Sequence, residues 1–315
     1  MSVAGSSIFT DADGYQAGLQ DMLDFVVICP RKFHARLTWV ELPHVQLMRA
    51  EESSARIAYL RPPPDKVFVF FATHQGPPLV HRGKELRFGE LVWHAHDGKG
   101  HQRTKEGSRW GSLAVTADTL LSFGRSITGQ ALSAPAYPQI LRPAAADRRE
   151  LLRVHARASR IAETSPNRII NPEVVRALEQ ELIALLINCA EAVVGSDDDE
   201  AEEVQAQLCM HFEEMLNLRP FQLLPTKEIC QLLAVSPQKF RASCLRVLGI
   251  GPGRYQKLRR LKLVRAELTR TGTQRPNVPE IMARYGFADL HRFVTEYWQV
   301  YGEMPPIPAR EAPHR

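Results

Sequence analysis

Two short segments of the chain concentrate side chains that can read the edge of a base pair. One holds Gln238, Lys239, Arg241 and Ala242; the other holds Leu290, His291, Arg292 and Thr295. An arginine donates two parallel N–H bonds to the major-groove acceptors of guanine, and a glutamine amide makes the equivalent pair with adenine. Gln238 and Arg241 are therefore the base-reading residues expected of the first segment. In the second, Arg292 takes either a base or a phosphate, and His291 alone reads more readily as a surface histidine.

A different chemistry is offered by His94-Ala95-His96, with His101 following after a Gly-containing loop. Alternation along a strand puts His94 and His96 on one side, and three neutral imidazoles suit zinc or iron. The pattern resembles the His-x-His pair of metal-binding cupins. His101, however, stands where that motif carries a carboxylate, and no second histidine motif follows Trp110. Surface histidines at a strand end are the preferred reading; a metal-dependent cupin-type enzyme using His94 and His96 is the alternative. The sequence has no Gly-rich phosphate loop after a strand, no Gly-x-Ser-x-Gly elbow and no HExxH. Neither catalysis nor a cofactor is expected.

The two reading segments each open the second helix of a helix–turn–helix. In the first unit, Ile229, Leu232 and Leu233 line the inner face of one helix and Ala234-Val235-Ser236 makes the turn, with Val235 buried. Ser236 caps the next helix and Pro237 takes its first position, with Phe240, Cys244 and Leu245 facing the core. The second unit begins near Val278-Pro279-Glu280 and turns at Tyr285-Gly286-Phe287. Asp289 caps its last helix, in which Phe293, Tyr297 and Trp298 pack. A helix from Pro252 to Arg270 joins the units as a rigid spacer. Tyr255, Leu258, Leu261 and Val264 form its inward stripe, and Arg254, Lys257, Arg259, Arg260, Lys262 and Arg265 fill the rest. These cations either contact phosphate, with Arg259 and Arg260 as the candidates, or keep the helix soluble.

Charge is segregated in the same direction. The chain of 315 residues is +5 overall, but from Arg219 onward 17 Lys or Arg face 7 Asp or Glu, a net +10, and the remainder is −5. A basic half attracts phosphate through counterion release, whereas an acidic other half argues against a protein that coats nucleic acid along its whole surface. Hydrophobic content of 44% and charged content of 24% suit a soluble protein of two domains. No apolar run approaches the ~20 residues of a membrane helix, and no basic-then-apolar start marks a secretory signal. The five cysteines form no CxxC pair, which fits reduced thiols in the cytoplasm acting as core fillers.

Ahead of the basic half, residues 32–121 have the texture of strands: short β-branched or aromatic runs broken by Pro62-Pro63-Pro64 and Gly76-Pro77-Pro78. The expected strands are Phe33 to Val40, Val45 to Arg49, Arg56 to Leu60, Val67 to Ala72, Leu79-Val80, Glu90 to His94 and Trp110 to Val115, with an amphipathic stretch near Tyr15 to Val27. Helices are expected over Asp147 to Glu163 and from Asn171, as N-cap, to Gly195. The second is apolar over more than one stripe (Leu178, Leu182, Ile183, Leu185, Leu186, Ile187). It must bury several faces against the β domain, a sister helix or a second subunit. The fold class is thus α+β: residues 1–145 an antiparallel β barrel or jelly roll, cupin-like and serving sensing or dimerisation. Residues 146–195 form a helical connector, 196–202 an acidic linker, and 203–315 an all-α domain with two helix–turn–helix units.

Leu233-Ala234-Val235-Ser236, Gly249-Ile250-Gly251-Pro252, Tyr255 with Arg260-Leu261 and Ala266, and Ala283 with Gly286-Phe287-Ala288-Asp289 fit one pattern. With Phe293, Tyr297 and Gly302 through Pro305, they resemble the AraC/XylS family of bacterial transcription regulators over residues 203 to 308. The Gly-Ile-Gly-Pro loop and the Gly-Phe turn are particularly similar to the subgroup containing ethanolamine-utilisation regulators. The resemblance implies a seven-helix domain whose two units enter adjacent major-groove segments of double-stranded DNA. It also implies an N-terminal β domain that senses a small-molecule effector or makes a homodimer and, for an activator, contact with RNA polymerase. Thr295-Glu296 departs from the Ser-Arg pair usual in the family. If Glu296 faces the duplex it repels phosphate, and the second unit then reads fewer bases than the first.

Overall fold

Period-two patterning builds the first half of the molecule. In the computed structural model, which describes residues 3–19, 22–28, 32–63, 65–94, 98–129, 131–135, 137–191, 200–270 and 277–306, the strands form two antiparallel sheets packed face to face. The larger runs in the order β1 (Ala4–Phe9), β3 (Ala35–Glu41), β4 (Val45–Glu52), β11 (Ser108–Thr116), β6 (Lys66–Ala72), β9 (Leu91–Trp93) and β12 (Gln139–Leu141). The smaller is β2 (Leu23–Val27), β5 (Arg56–Leu60), β10 (Gly100–Thr104), β7 (Leu79–His81) and β8 (Lys84–Leu86). Neither sheet closes on itself, so the expected barrel or jelly roll is realised as a sandwich.

The larger sheet is covered on both faces, which explains why its strands read as nearly continuous apolar runs. Along β4, Val45 and Leu47 join a cluster with the helices outside the sandwich, while Met48 and Ala50 point into its interior. The outer cover consists of α2 (Ala117–Thr128), α3 (Ala145–Thr164) and α4 (Pro172–Glu191). Leu182, Ile183, Leu186 and Ile187 of α4 are all buried in that cluster, so its several apolar faces are satisfied within the chain. Asn171 starts α4, its Oδ1 accepting the backbone N–H of Glu173 at 2.9 Å.

The strands β1, β8, β10 and β12 and the helix α2 escaped the sequence patterns. The stretch around Tyr15 to Val27 splits into α1 (Ala12–Gly18) and β2. β10 reads Gly-His-Gln-Arg-Thr, with no apolar face, because Gln102 is buried inside the sandwich while His101 and Arg103 meet the second half of the chain.

That second half is helical: α5 (Glu200–Leu218), α6 (Thr226–Leu232), α7 (Pro237–Val247), α8 (Pro252–Arg270), α9 (Val278–Arg284) and α10 (Leu290–Tyr301). These are six helices among the described residues, where the resemblance implies seven. α5 starts at Glu200, inside the stretch expected to be linker. α5 and α8 lie on the outer face of the smaller sheet, where Val26 and Ile57 join the helical core. The molecule is therefore layered as helices, seven-stranded sheet, five-stranded sheet and helices again. Among the described residues no helix is long and apolar enough to cross a membrane. Cys189, Cys209, Cys230 and Cys244 are free, buried thiols, as expected of core fillers, and Cys29 lies outside the described residues.

Candidate nucleic-acid interface

The first unit is fixed by local chemistry. The N–H of Val235 donates to the carbonyl of Cys230 at 3.0 Å, closing the turn after α6, and Ala234 sits in the left-handed region at φ 51°. That conformation costs an alanine about 1 kcal/mol or more, so the turn is held by its surroundings. The Ser236 Oγ accepts the N–H of Lys239 at 3.2 Å and starts α7. Phe240 and Cys244 are fully buried, with Phe240 edge-on to Phe212 of α5 at 5.0 Å between ring centres. The face that remains carries Gln238, Lys239, Arg241 and Ala242, all exposed.

Three apolar residues expected to face inward do not. Leu232 is 57% exposed, Leu245 46% and Trp298 53%, and Val235 is half-buried where full burial was expected. Leu232 and Leu245 each stand one step off the stripe of their helix, and Cys230, Phe240, Cys244 and Val247 complete the core without them. In α10 the core is filled by Phe293, Tyr297 and Val300, which leaves the indole outside. Thr226 is the first helical residue of α6, after Pro225, which offers no side-chain cap.

The second unit repeats the device with stronger caps. Gly286, at φ 75°, occupies the left-handed position of the turn, where an L side chain would be strained. The Asp289 carboxylate accepts the N–H of Arg292 at 2.7 Å. Leu290, His291, Arg292 and Thr295 are exposed, and the Thr295 hydroxyl donates back to the carbonyl of His291 at 2.9 Å. Glu296 does not confront the groove face as a free charge. It bonds Lys257 of α8 at 2.8 Å and Arg292 at 3.1 Å, and although burial opposes ionisation, these two cations hold its carboxyl below the usual range. Arg292 is thereby steadied by its neighbour while remaining three-quarters exposed.

α8 supplies the largest departure from the sequence reading. Arg259 ion-pairs with Glu213 of α5 and lies 3.7 Å from Asp24 of β2; Lys262 pairs with the same Asp24; and the Nε of Arg265 donates to Asp13 of α1 at 3.0 Å. Arg260 is 7% exposed: its guanidinium donates to the carbonyl of Tyr285 at 2.9 Å and stacks on the Phe287 ring at 4.8 Å. Arg259, Arg260, Lys262 and Arg265 are thus engaged by α5, the β domain and the second turn, and Arg259 and Arg260 are turned away from solvent, while Arg254 stays exposed. Arg260→Ala is accordingly expected to cost about 2 kcal/mol or more by orphaning buried carbonyls. Denaturant unfolding, with hydrogen exchange at residues 285 to 287, reads this out. A phosphate contact would instead lower duplex affinity with stability unchanged.

The histidines are not at a surface. His94 and His101 are each 1% exposed, and burial lowers their pKa values to about 4 and about 3. His101 meets Glu213 and the Tyr255 hydroxyl at the domain junction, both at 3.4 Å, where that hydroxyl also donates to Glu213 at 2.6 Å. His94 instead bonds the carbonyl of Gly98 at 3.3 Å inside the sandwich. The two therefore serve different places, His96 lies outside the described residues, and no group of three His, Cys, Asp or Glu arranged for a metal occurs among the described ones.

Two capped helix–turn–helix units braced by one long helix define a tandem reading domain. Residues 229–306 match the family model described as "Helix-turn-helix domain". Over 94 residues the chain is 31% identical to the probable thc operon regulatory protein of Rhodococcus erythropolis, a span of 30% of this chain and 28% of that one. Over 79 residues it is 30% identical to the XylDLEGF operon transcriptional activator 2 of Pseudomonas putida, 25% of this chain and 50% of that one. The C-terminal region thus carries a helix–turn–helix domain of the kind that the resemblance to the AraC/XylS family implies. The chain spans no more than half the length of either curated relative. Among solved structures it is similar to the AraC-like transcriptional activator CuxR, with TM-score 0.46 and 15% identity, covering 84% of this chain and 94% of that one. It is also similar to ToxT from Vibrio cholerae, with TM-score 0.27 and 11% identity, covering 83% and 96%.

Proposed function

We propose that the protein is a sequence-specific, DNA-binding transcription regulator whose N-terminal β domain controls how the two reading helices are presented. The observation that carries this is the pair of capped, outward-facing helices α7 and α10 on either side of α8. With 19 residues, α8 spans about 28 Å, of the order of the ~34 Å between successive major-groove faces of a duplex. On this reading Gln238, Arg241 and Arg292 contact bases or phosphates, and Lys239, Ala242, Leu290, His291 and Thr295 complete the two faces. Arg259 and Arg260 act indirectly, by fixing the angle between the units.

Control by the β domain is supported by the junction itself. Asp13 and Asp24 grip α8 from one side while Glu213 and Tyr255 receive His101, so a change within the sandwich has a polar route to the spacer helix. Activation through RNA polymerase is the direction supported by the Pseudomonas putida relative, whose name is that of an activator. Homodimer formation and action in the cytoplasm belong to the same proposal.

The test is titration of the full chain onto duplexes from the promoters flanking its own gene, between 50 and 200 mM salt. Affinity is expected to fall steeply with salt. Arg241→Ala is expected to cost ~1–3 kcal/mol and to relax preference at one base pair. Uniform weakening across all sequences would make Arg241 a phosphate contact, and no duplex binding at any salt overturns the proposal.

A further inference from the structure

The β sandwich holds a cavity between its sheets, walled by Met48, Phe68, Phe70 and Trp110 and carrying the polar side chains of His94, Gln102 and Ser112. His94 and Gln102 are essentially without exposure, and in each the Nε2 atom has no hydrogen-bond partner. Buried polar atoms are nearly always paired, so two orphans on side chains that line one apolar chamber ask for a ligand that pairs them.

Their polarity follows from their other bonds. Gln102 presents its Oε1 to the Arg56 guanidinium at 3.5 Å, which leaves the NH2, a donor, for the cavity. The His94 Nδ1 faces the carbonyl of Gly98 and must therefore be the protonated nitrogen, leaving Nε2 a bare acceptor. His81 packs edge-on to His94, with ring centres 4.6 Å apart, and burial also holds it neutral. Ser112 adds a hydroxyl that serves either sense. No carboxylate, lysine or arginine lines the chamber, and Arg56 is committed to Glu52.

One donor and one acceptor in a small, uncharged apolar chamber are met by a hydroxyl, which donates and accepts from one oxygen. The cavity volume, about 40 Å³, exceeds the roughly 10–15 Å³ that one water needs but suits no long chain. We propose that the cavity binds a compact, neutral hydroxylated ligand of the phenol or small-alcohol class. Its O–H donates to the His94 Nε2 and accepts from the Gln102 amide, and its apolar body lies against Met48, Phe70 and Trp110. A carboxylate is disfavoured because it would be buried without a counter-charge. The inference rests on the reading of the β domain as the controlling half of the regulator.

The test uses the full chain and three probes, phenol, toluene and benzoate, titrated by calorimetry. Phenol is expected to bind at least about tenfold more tightly than toluene, because a site built for a hydroxyl penalises the analogue that lacks it, and benzoate is expected not to bind. Gln102→Met and His94→Leu should remove the preference for phenol while keeping toluene binding, with circular dichroism confirming that each variant is folded. Benzoate binding as tightly as phenol, toluene equal to phenol, or no saturable binding of phenol overturns the proposal. Duplex affinity measured on the same preparation separates the two readings. Phenol binding with no change in duplex affinity supports the site and overturns its control of DNA binding, whereas loss of phenol binding alone leaves the regulator standing.

Discussion

Acidification from pH 7 toward pH 4 is expected to strip the protein of most of its folding stability. Among the described residues four histidines are buried: His81, His94, His101 and His155. Loss of solvation lowers all four pKa values, those of His94 and His155 to about 4, that of His101 to about 3, and that of His81 well below 6.5. In the unfolded chain each takes up a proton near pH 6.5 while the folded form does not. The stability they permit is thus fully present above pH 6.5 and lost as pH falls toward 4. For His155, a depression from 6.5 to about 4 is worth about 3 kcal/mol by linkage, and the other three act in the same direction. Asp24, held down by Lys262 and Arg259 against its own burial, adds to the acid loss. Against a total stability of about 5–15 kcal/mol, this is enough to unfold the chain. The check is the thermal midpoint between pH 7.5 and 4.5, which should fall with a slope that His155→Gln makes shallower. A midpoint unchanged down to pH 5 sinks the idea.

His155 also shows what a sequence withholds. Its ring lies on α3, its Nε2 donates to the carbonyl of Met48 at 3.0 Å, and it fits against β11 because position 111 is glycine: a Cβ there would come within 2.7 Å of the ring. None of these partners is near in the chain. By contrast, the two helix–turn–helix units were legible because Ser236, Pro237, Gly286 and Asp289 act on atoms within a few residues of themselves. The limit appears where a partner is distant. Arg259 and Arg260 look, in sequence, like the cations of a phosphate-binding helix, and only the folded chain brings Asp24, Glu213 and the Tyr285 carbonyl to them. Likewise, His94 and His101 read as strand-end histidines because nothing local says that a second sheet and a second domain cover them. The faces of α7 and α10 were assigned from helical period alone, and it failed at Leu245 and Trp298, where the core was already full.

Replacing Glu52 by alanine is expected to leave the β domain unfolded or nearly so at 25 °C. Glu52 ends β4 and Arg56 starts β5, where the chain passes from the larger sheet to the smaller. In the structure both are buried in the sandwich, with side-chain exposures of 0% and 1%. Both Glu52 oxygens accept from the Arg56 Nε at 2.9 Å, and the carboxylate also receives the Tyr15 hydroxyl at 2.7 Å, the Trp110 indole at 2.8 Å and the Thr104 hydroxyl at 3.1 Å. It therefore ties β4 to β5, β10, β11 and α1 at one point. Removing it strands a buried guanidinium, worth about 3–5 kcal/mol, and orphans the Tyr15 and Trp110 donors at about 1–3 kcal/mol each. Removing both charges is a different matter, since a buried ion pair exchanged for apolar side chains of similar volume is often close to neutral. The double variant Glu52→Leu with Arg56→Met should consequently be more stable than Glu52→Ala alone, despite carrying more changes. Urea unfolding of Glu52→Leu, Arg56→Met and the double variant closes the cycle, with Glu52→Ala measured beside them. If the double variant proves no more stable than Glu52→Ala, the stranded charge is not the cause, and the loss must be assigned to the Tyr15, Thr104 and Trp110 bonds instead.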